Sequence, residues 1–425
     1  MAPISINDVE EDESPSSGIA AKEPTRKQPS LNAKFDIFRQ LVPVVADGTV
    51  THLNAGFMPP SNLVIHEAIN QFCTQWLHNS SPKPLWRDIA EETRLLLAQY
   101  INTDPSCIAF TRDTTEAMSY FMHSLSLQPG DNVVILDCEH PNQAYGWLAL
   151  RDLGVEVRQA PTPSGRDGFA TTANANTFAD HVDERTRAIG ISSIMFHSGQ
   201  WNDVTDICAA YRPRGIHVLA DLTQQVGFAD VDVQALGVSA AAFSLHKGLN
   251  SPLGLAALYV QEDFIRDLNP TPPTVGYGSV NNTSEDFMIP NGPIDFHSSA
   301  RRYEHANMNL MAASAARAFL RFYLDIMGPE DVKNHLYGLG DVLRARCKLL
   351  GVKILGPTEH CNHAPHLYIL NLYGDEWAVH FKQNNVATTT FRWGVRVSFG
   401  FYSSVHDVQR LAEVIQSGLD AGLQC

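Results

Sequence analysis

The sequence predicts an α/β fold: a mostly parallel sheet with helices on both faces, plus a smaller α+β domain at the C-terminal end. Three observations predict it. Short apolar runs alternate with helical patterns through the middle of the chain, which is the signature of βαβ units. The pattern changes after about residue 325 to shorter alternating strands and helices. And 425 residues are enough to bury more than one core. The expected organisation is a disordered tail over 1–30, a large domain over 31–325 and a small domain over 326–425.

Taken in order, residues 1–30 are acidic and then rich in Ser, Pro and Lys, with few apolar anchors, the composition of a tail that cannot fold alone. Helical spacing predicts helices at Asn62–Trp76 and Trp86–Tyr100. Strands are expected at Asn132–Leu136, Ala188–Ile194, His217–Ala220 and Ala240–Phe243. Helices are expected between them at Ala144–Leu153, Val204–Tyr211 and Val233–Leu236. Leu255–Val260 follows its predecessor after a loop too short for a helical crossover, so it should pair antiparallel. Asn269–His297 carries Pro, Gly and Asn and reads as a functional loop. Helices resume at Met308–Leu324 and Pro329–Leu350.

Composition narrows the function. Asp and Glu outnumber Lys and Arg by 46 to 31, a net charge of −15. No basic surplus exists to neutralise phosphates, so nucleic acid and anionic membrane surfaces are not expected partners. Seven scattered cysteines without a CxxC predict reduced thiols and a cytoplasmic protein. No apolar run approaches the length that spans a bilayer, and the N-terminus opens on acidic residues where a leader would be basic and then apolar. The cluster His360, Cys361, His363 and His366 lacks zinc-type spacing, and no metal is expected.

Two residues suggest chemistry. Asp221 falls at the C-terminal end of one predicted strand, and Lys247 falls just past the end of the next. Ligands bind at that edge of an open α/β sheet. An amine there can form a Schiff base with pyridoxal 5'-phosphate, and a carboxylate can keep its pyridine nitrogen protonated. Alone, Asp221 reads equally well as structural, and a lone Lys such as Lys247 is usually solvated.

Ser244-Leu-His246-Lys247 with Gly254 and a following apolar strand resembles the class V aminotransferase group of fold-type I enzymes. So does Asp221-Leu-Thr-Gln224-Gln-Val-Gly227. That group includes cysteine desulfurases, kynureninase-like enzymes and isopenicillin N epimerase-like proteins, and the likeness runs from about Leu53 to Leu411. It implies a seven-stranded sheet, an N-terminal segment packed on the small domain, pyridoxal phosphate as cofactor, and an amino acid as substrate. It implies that Lys247 carries the cofactor, Asp221 faces the ring nitrogen, Gln224 lies near the ring hydroxyl, and Ser244 and His246 help hold the phosphate. Phe110–Ala117 resembles the phosphate-cradling helix start, with Thr114 and Thr115 as donors, and a helix N-terminus does favour an anion. His140, after Glu139, is the implied ring-stacking residue. Arg396, in a strand resembling the family's Arg-x-Ser, is the implied clamp on the substrate carboxylate, and Asn54 belongs to the implied substrate-side loop.

The chain also departs from the pattern. Met195-Phe196-His197 stands where the group often has a polar residue, and His197 is the candidate to replace that contact. Arg302-Tyr-Glu304-His-Ala306-Asn307 resembles a segment that reaches the partner subunit's cofactor, so a homodimer with Asn307 at a shared site is expected. The loop Asn384–Trp393 holds no cysteine, which argues against desulfurase chemistry. The expected function is a cofactor-assisted α-carbanion enzyme of secondary metabolism, with Lys247, His140 and Asp221 catalytic. The acidic tail and the departed central loop are similar to those of class V-like enzymes of secondary metabolism, a resemblance that implies an intramolecular Mannich-type cyclase of alkaloid formation as the first choice of reaction. A C–S lyase, epimerase or aminotransferase is the alternative.

Overall fold

Thirteen strands form three sheets in the computed structural model, which describes residues 33–165, 168–281 and 292–425. The expected disordered tail, and residues 282–291 of the expected Asn269–His297 loop, lie outside the described residues. In chain order the strands are β1 (Thr51–His52), β2 (Ile108–Thr111), β3 (Asn132–Leu136), β4 (Glu156–Ala160), β5 (Thr186–Ser192), β6 (His217–Asp221), β7 (Ala240–Ser244) and β8 (Ala256–Val260). They continue with β9 (Ile354–Leu355), β10 (Leu367–Leu370), β11 (Val386–Ala387), β12 (Thr389–Phe391) and β13 (Gly394–Ser398).

The large sheet has seven strands in the order β2-β8-β7-β6-β5-β3-β4. Its neighbours run parallel from β4 to β7, and β8 pairs antiparallel with both β7 and β2. The mostly parallel, seven-stranded expectation therefore holds, including the reversal at β8. Apolar runs without alternation are what two-sided burial requires. In β3, Val134 and Leu136 join the core on one face while Val133 and Ile135 join the core on the other.

Two strands of this sheet were not anticipated. β2 lies in a segment read only as the approach to a helix, and β4 is an edge strand whose Glu156 and Gln159 are exposed. The helix expected over Ala144–Leu153 instead spans Pro141–Leu148 and tightens into a 3₁₀ turn through Leu153. Pro141 takes the first-turn position where a missing N–H costs nothing, so the helix starts earlier than its apolar spacing suggests. The helix expected to reach Leu324 spans Leu310–Arg321 and widens into a π-turn over Phe322–Met327 before Gly328.

The smaller sheet, β12-β13-β10-β9, is antiparallel. The start of the described chain is fastened to its end. β1 pairs with β11, and the Phe35 ring stacks on His335 at 4.1 Å. Arg39 makes a two-pronged pair with the buried Asp407, at 2.6 and 3.0 Å. Asn54 then bridges to Ser398, which places the N-terminal segment beside the last strand.

Candidate active site

Along the large sheet the chain order turns back at β3, with β4 on one side of it and β5 on the other. The carboxyl ends of β3 and β5 therefore border a crevice, the usual place for a ligand in such a sheet. Glu139 spans it. The Ser192 N–H and hydroxyl donate to its two oxygens at 2.8 and 2.6 Å. Burial pushes this carboxyl up to about 7, against the pull of the Ser192 hydrogen bonds. Beside it, His140 caps the Pro141–Leu148 helix by accepting the Asn142 N–H at Nδ1. Burial holds the imidazole below its usual range; Asp221 opposes this, and Lys247 and Arg396 reinforce it.

Asp221 closes β6, and Lys247 lies three residues past the end of β7. The two strands are neighbours, with Asp221 registered on Ala242, so both side chains leave the same edge. The Lys247 amine is brought down to about 8 by burial, opposed by the Asp221 carboxylate and helped by the Arg396 cation. An amine at that value is partly neutral near pH 7, the nucleophilic form. The turns carrying the two residues abut backbone to backbone. A Cβ on Gly227 would lie 2.3 Å from the Gly248 carbonyl carbon, and Gly227 has φ +80°.

The Thr223 N–H donates to Asp221 Oδ1 at 2.8 Å. The Thr223 hydroxyl lies 3.4 Å from that of Thr114 and accepts the Ser244 N–H. Thr114 opens the Thr114–Ser124 helix, whose cap, Asp113, takes the Glu116 N–H. Ser244 Oγ is buried and has no hydrogen-bond partner among the described residues. An unpaired hydroxyl is costly to bury, and at the mouth of a helix N-terminus it suits a phosphate oxygen. His246, half-buried nearby in sequence, is kept neutral by burial and by Lys247, at about 4.

Arg396 is 2% exposed. Its Nη1 donates to the Phe196 carbonyl at 2.9 Å, and its Nη2 lies 3.4 Å from both Asn54 Oδ1 and Thr389 Oγ1. Its Nε has no partner, and no carboxylate pairs with it among the described residues. Burial lowers the guanidinium to about 10. Gln224 is fixed from two sides: its amide donates to the Gly56 carbonyl at 2.9 Å, and its oxygen lies 3.1 Å from His366 Nε2. The Gly56 N–H in turn donates to Ser398 Oγ at 2.8 Å.

Lys247, Asp221, His140 and Arg396 thus influence one another directly, and Asn54, Thr114, Gln224 and Ser244 are bonded to the same framework. His197 lies at the edge of that core, within the influence of Arg396 and His140 and 5.0 Å ring to ring from Trp393 on an open cleft of about 650 Å³. Thr115 and Asn307 face elsewhere. Both are exposed and line a second cavity of about 540 Å³, where Asn307 accepts from Lys83 Nζ. In the same motif Glu304 has a structural task, receiving Arg94 and the Phe110 N–H of β2. The His360–His366 cluster disperses: His360 meets Asp341, His363 its neighbour's carbonyl, and His366 Gln224. Sequence reasoning missed Glu139, Thr223 and His366 as parts of the site. Glu139 left a signal, an acid straight after an apolar strand and before the stacking candidate.

The family model for aminotransferase class-V matches residues 65–411. Over 389 residues the chain is 46% identical to an uncharacterized protein of Schizosaccharomyces pombe, covering 91% of this chain and 88% of that one. It is 44% identical over 389 residues to an uncharacterized aminotransferase of the same yeast (91% and 96%). It is 30% identical over 330 residues to a probable cysteine desulfurase of Methanothermobacter thermautotrophicus (76% and 78%). Among solved structures, a C-DES mutant with glycine covalently linked to its PLP cofactor superposes with a TM-score of 0.79 at 20% identity, covering 89% of this chain and 98% of that one. With most of the described chain matched, the chain belongs to the class V aminotransferase family and is a pyridoxal-phosphate-dependent enzyme of the fold-type I architecture.

Proposed function

We propose that this enzyme activates an amino acid at its α-carbon by removing the α-proton, with Lys247 as both cofactor anchor and base. The observation that carries the reading is Arg396, a buried cation with no acid partner among the described residues. A guanidinium so placed is costly unless an anion completes it, and a substrate α-carboxylate can do so through two parallel hydrogen bonds. Bound pyridoxal phosphate supplies an electron-accepting ring for the charge left on the α-carbon. Asp221, with Oδ1 held by Thr223, would keep the ring nitrogen of that cofactor protonated. His140 would hold the ring by stacking and Gln224 through its hydroxyl. Ser244, Thr114 and His246 would hold the phosphate. Thr115 and Asn307, on their separate cavity, serve a partner subunit's phosphate in a homodimer. Asn54 steadies Arg396, and His197 meets the far end of the substrate. Lys247, with its lowered proton affinity, takes and returns the α-proton.

Within this chemistry the intramolecular Mannich-type cyclase of alkaloid formation remains our first choice, because the cleft has room for a side chain long enough to fold back on its own α-carbon. The aminotransferase alternative is favoured by the 44% identical yeast relative. Desulfurase action is disfavoured. Cys138 is the cysteine on the cleft; burial pushes its thiol up to about 12, with the Thr162 hydroxyl 2.7 Å away, so it is no thiolate nucleophile. The test uses purified protein loaded with pyridoxal phosphate. Visible absorption bleached by borohydride, with the adduct on Lys247, and exchange of a substrate α-proton in deuterated water are expected. A protein that stays colourless with added cofactor, or exchanges no α-proton with any amino acid, overturns the reading. A cyclic amino acid product supports the cyclase, whereas a keto acid or released sulfide supports the alternatives.

A further inference from the structure

The Arg396 site adjoins, across Phe196 and Phe391, an open cleft of about 650 Å³ at the ends of β3, β5 and β12. The two spaces share residues. Phe196 gives its carbonyl to Arg396, turns its ring edge-on to His140 at 4.7 Å, and lines the cleft. Phe391 lies under the Arg396 guanidinium at 5.1 Å, packs against Phe196 at 5.8 Å, and lines the cleft as well. A carboxylate on Arg396 and an α-carbon at Lys247 fix two substituents of a bound amino acid. Its side chain then has this passage to enter.

The walls are aromatic. Phe196 and Phe391 form the inner part, and Trp393, tilted 31° against the His197 ring, continues it outward with Phe169. The polar groups on the wall are already engaged. Asp137 receives the Thr162 N–H and hydroxyl. Glu139 is held by Ser192, and the Arg392 guanidinium lies over the Trp393 ring at 4.0 Å. His197 is neutral, lowered to about 4 by burial and by Arg392 and Arg396. A space of this size with few uncommitted polar groups matches a ligand far larger than cysteine or alanine.

Building on the proposed α-carbon chemistry, we infer that the enzyme's substrate is an α-amino acid with a bulky, ring-bearing side chain, held between Phe196, Phe391 and Trp393. Rings prefer to pack edge-on or offset against other rings, and the passage offers such faces along its length. Trp393 and Phe391 determine specificity, and Arg396 supplies the attachment common to every amino acid.

The experiment titrates the pyridoxal-phosphate-loaded protein with L-tryptophan, L-phenylalanine, L-alanine and L-cysteine, following the change in visible absorption. The aromatic amino acids are expected to bind at least about tenfold more tightly than alanine or cysteine. Trp393→Ala, or the milder Trp393→Leu where the first folds poorly, is expected to bring the aromatic-to-alanine ratio close to one. Equal affinities across the four amino acids, or an unchanged ratio in the variants, overturn the inference. Protein that takes up no cofactor signals instead the failure of the underlying chemistry, read from its absorption before any amino acid is added.

Discussion

Glu139 holds its proton at a pH where most carboxyls have lost theirs. Burial raises it from the ordinary 4.5 to about 7. Its contribution to folding stability is therefore full below about 4.5 and is lost as pH rises through about 7. In Glu139→Gln that loss disappears, so the melting temperature of the variant relative to wild type should climb between pH 4.5 and 8. Calorimetry across that range checks it, and a difference independent of pH would falsify the assignment. The neighbouring residues show what was legible at this scale. Lys247, Asp221 and Arg396 stood out because each is a charged residue at or beside an apolar strand, where burial has to be explained. Thr223 and His366 did not, because a hydroxyl in a turn and one histidine among several gain meaning only once the fold chooses their partners. The histidine cluster is adjacent in sequence, yet its side chains part company in space.

At the level of elements, the site depends on two turns meeting without side chains between them. A Cβ at Gly248 would lie 2.3 Å from the Val226 carbonyl oxygen, and backbone against backbone has little room to give. Gly248→Ala is expected to cost about 3 kcal/mol, at the upper end for overpacking, and to weaken cofactor retention by displacing Lys247. Denaturant melts and cofactor dialysis together test this; a variant as stable and as tightly loaded as wild type refutes it. The buried parallel strands were readable because apolar runs of that length flanked by helices have few other solutions. β4 was not, since an edge strand with exposed Glu156 and Gln159 carries no such run. Turns such as Phe322–Met327 escape notice because their residues keep helical spacing while the hydrogen-bond ladder widens.

For the whole molecule, the described chain exposes large apolar side chains on its N-terminal segment and first long helix, among them Phe57 at 65%, Trp76 at 67% and Leu77 at 78%. With Thr115 and Asn307 on a cavity apart from Lys247, these suit a homodimer in which each copy completes its partner's site. Light scattering is expected to give about twice 46.9 kDa, and a monomer at micromolar concentration removes that arrangement. The sequence carried the overall plan, because alternation and length constrain it strongly. It could not show which surfaces remain uncovered, since that depends on how every element packs. The fastening of the first described residues to the last also bears on biosynthesis. β1 waits for β11, Arg39 waits for Asp407, and Asn54 waits for Arg396 and Ser398. A ribosome thus delivers this segment more than 300 residues before its neighbours exist, so the nascent enzyme stays inactive until β11, β13 and Asp407 have been made, with the segment available to chaperones meanwhile.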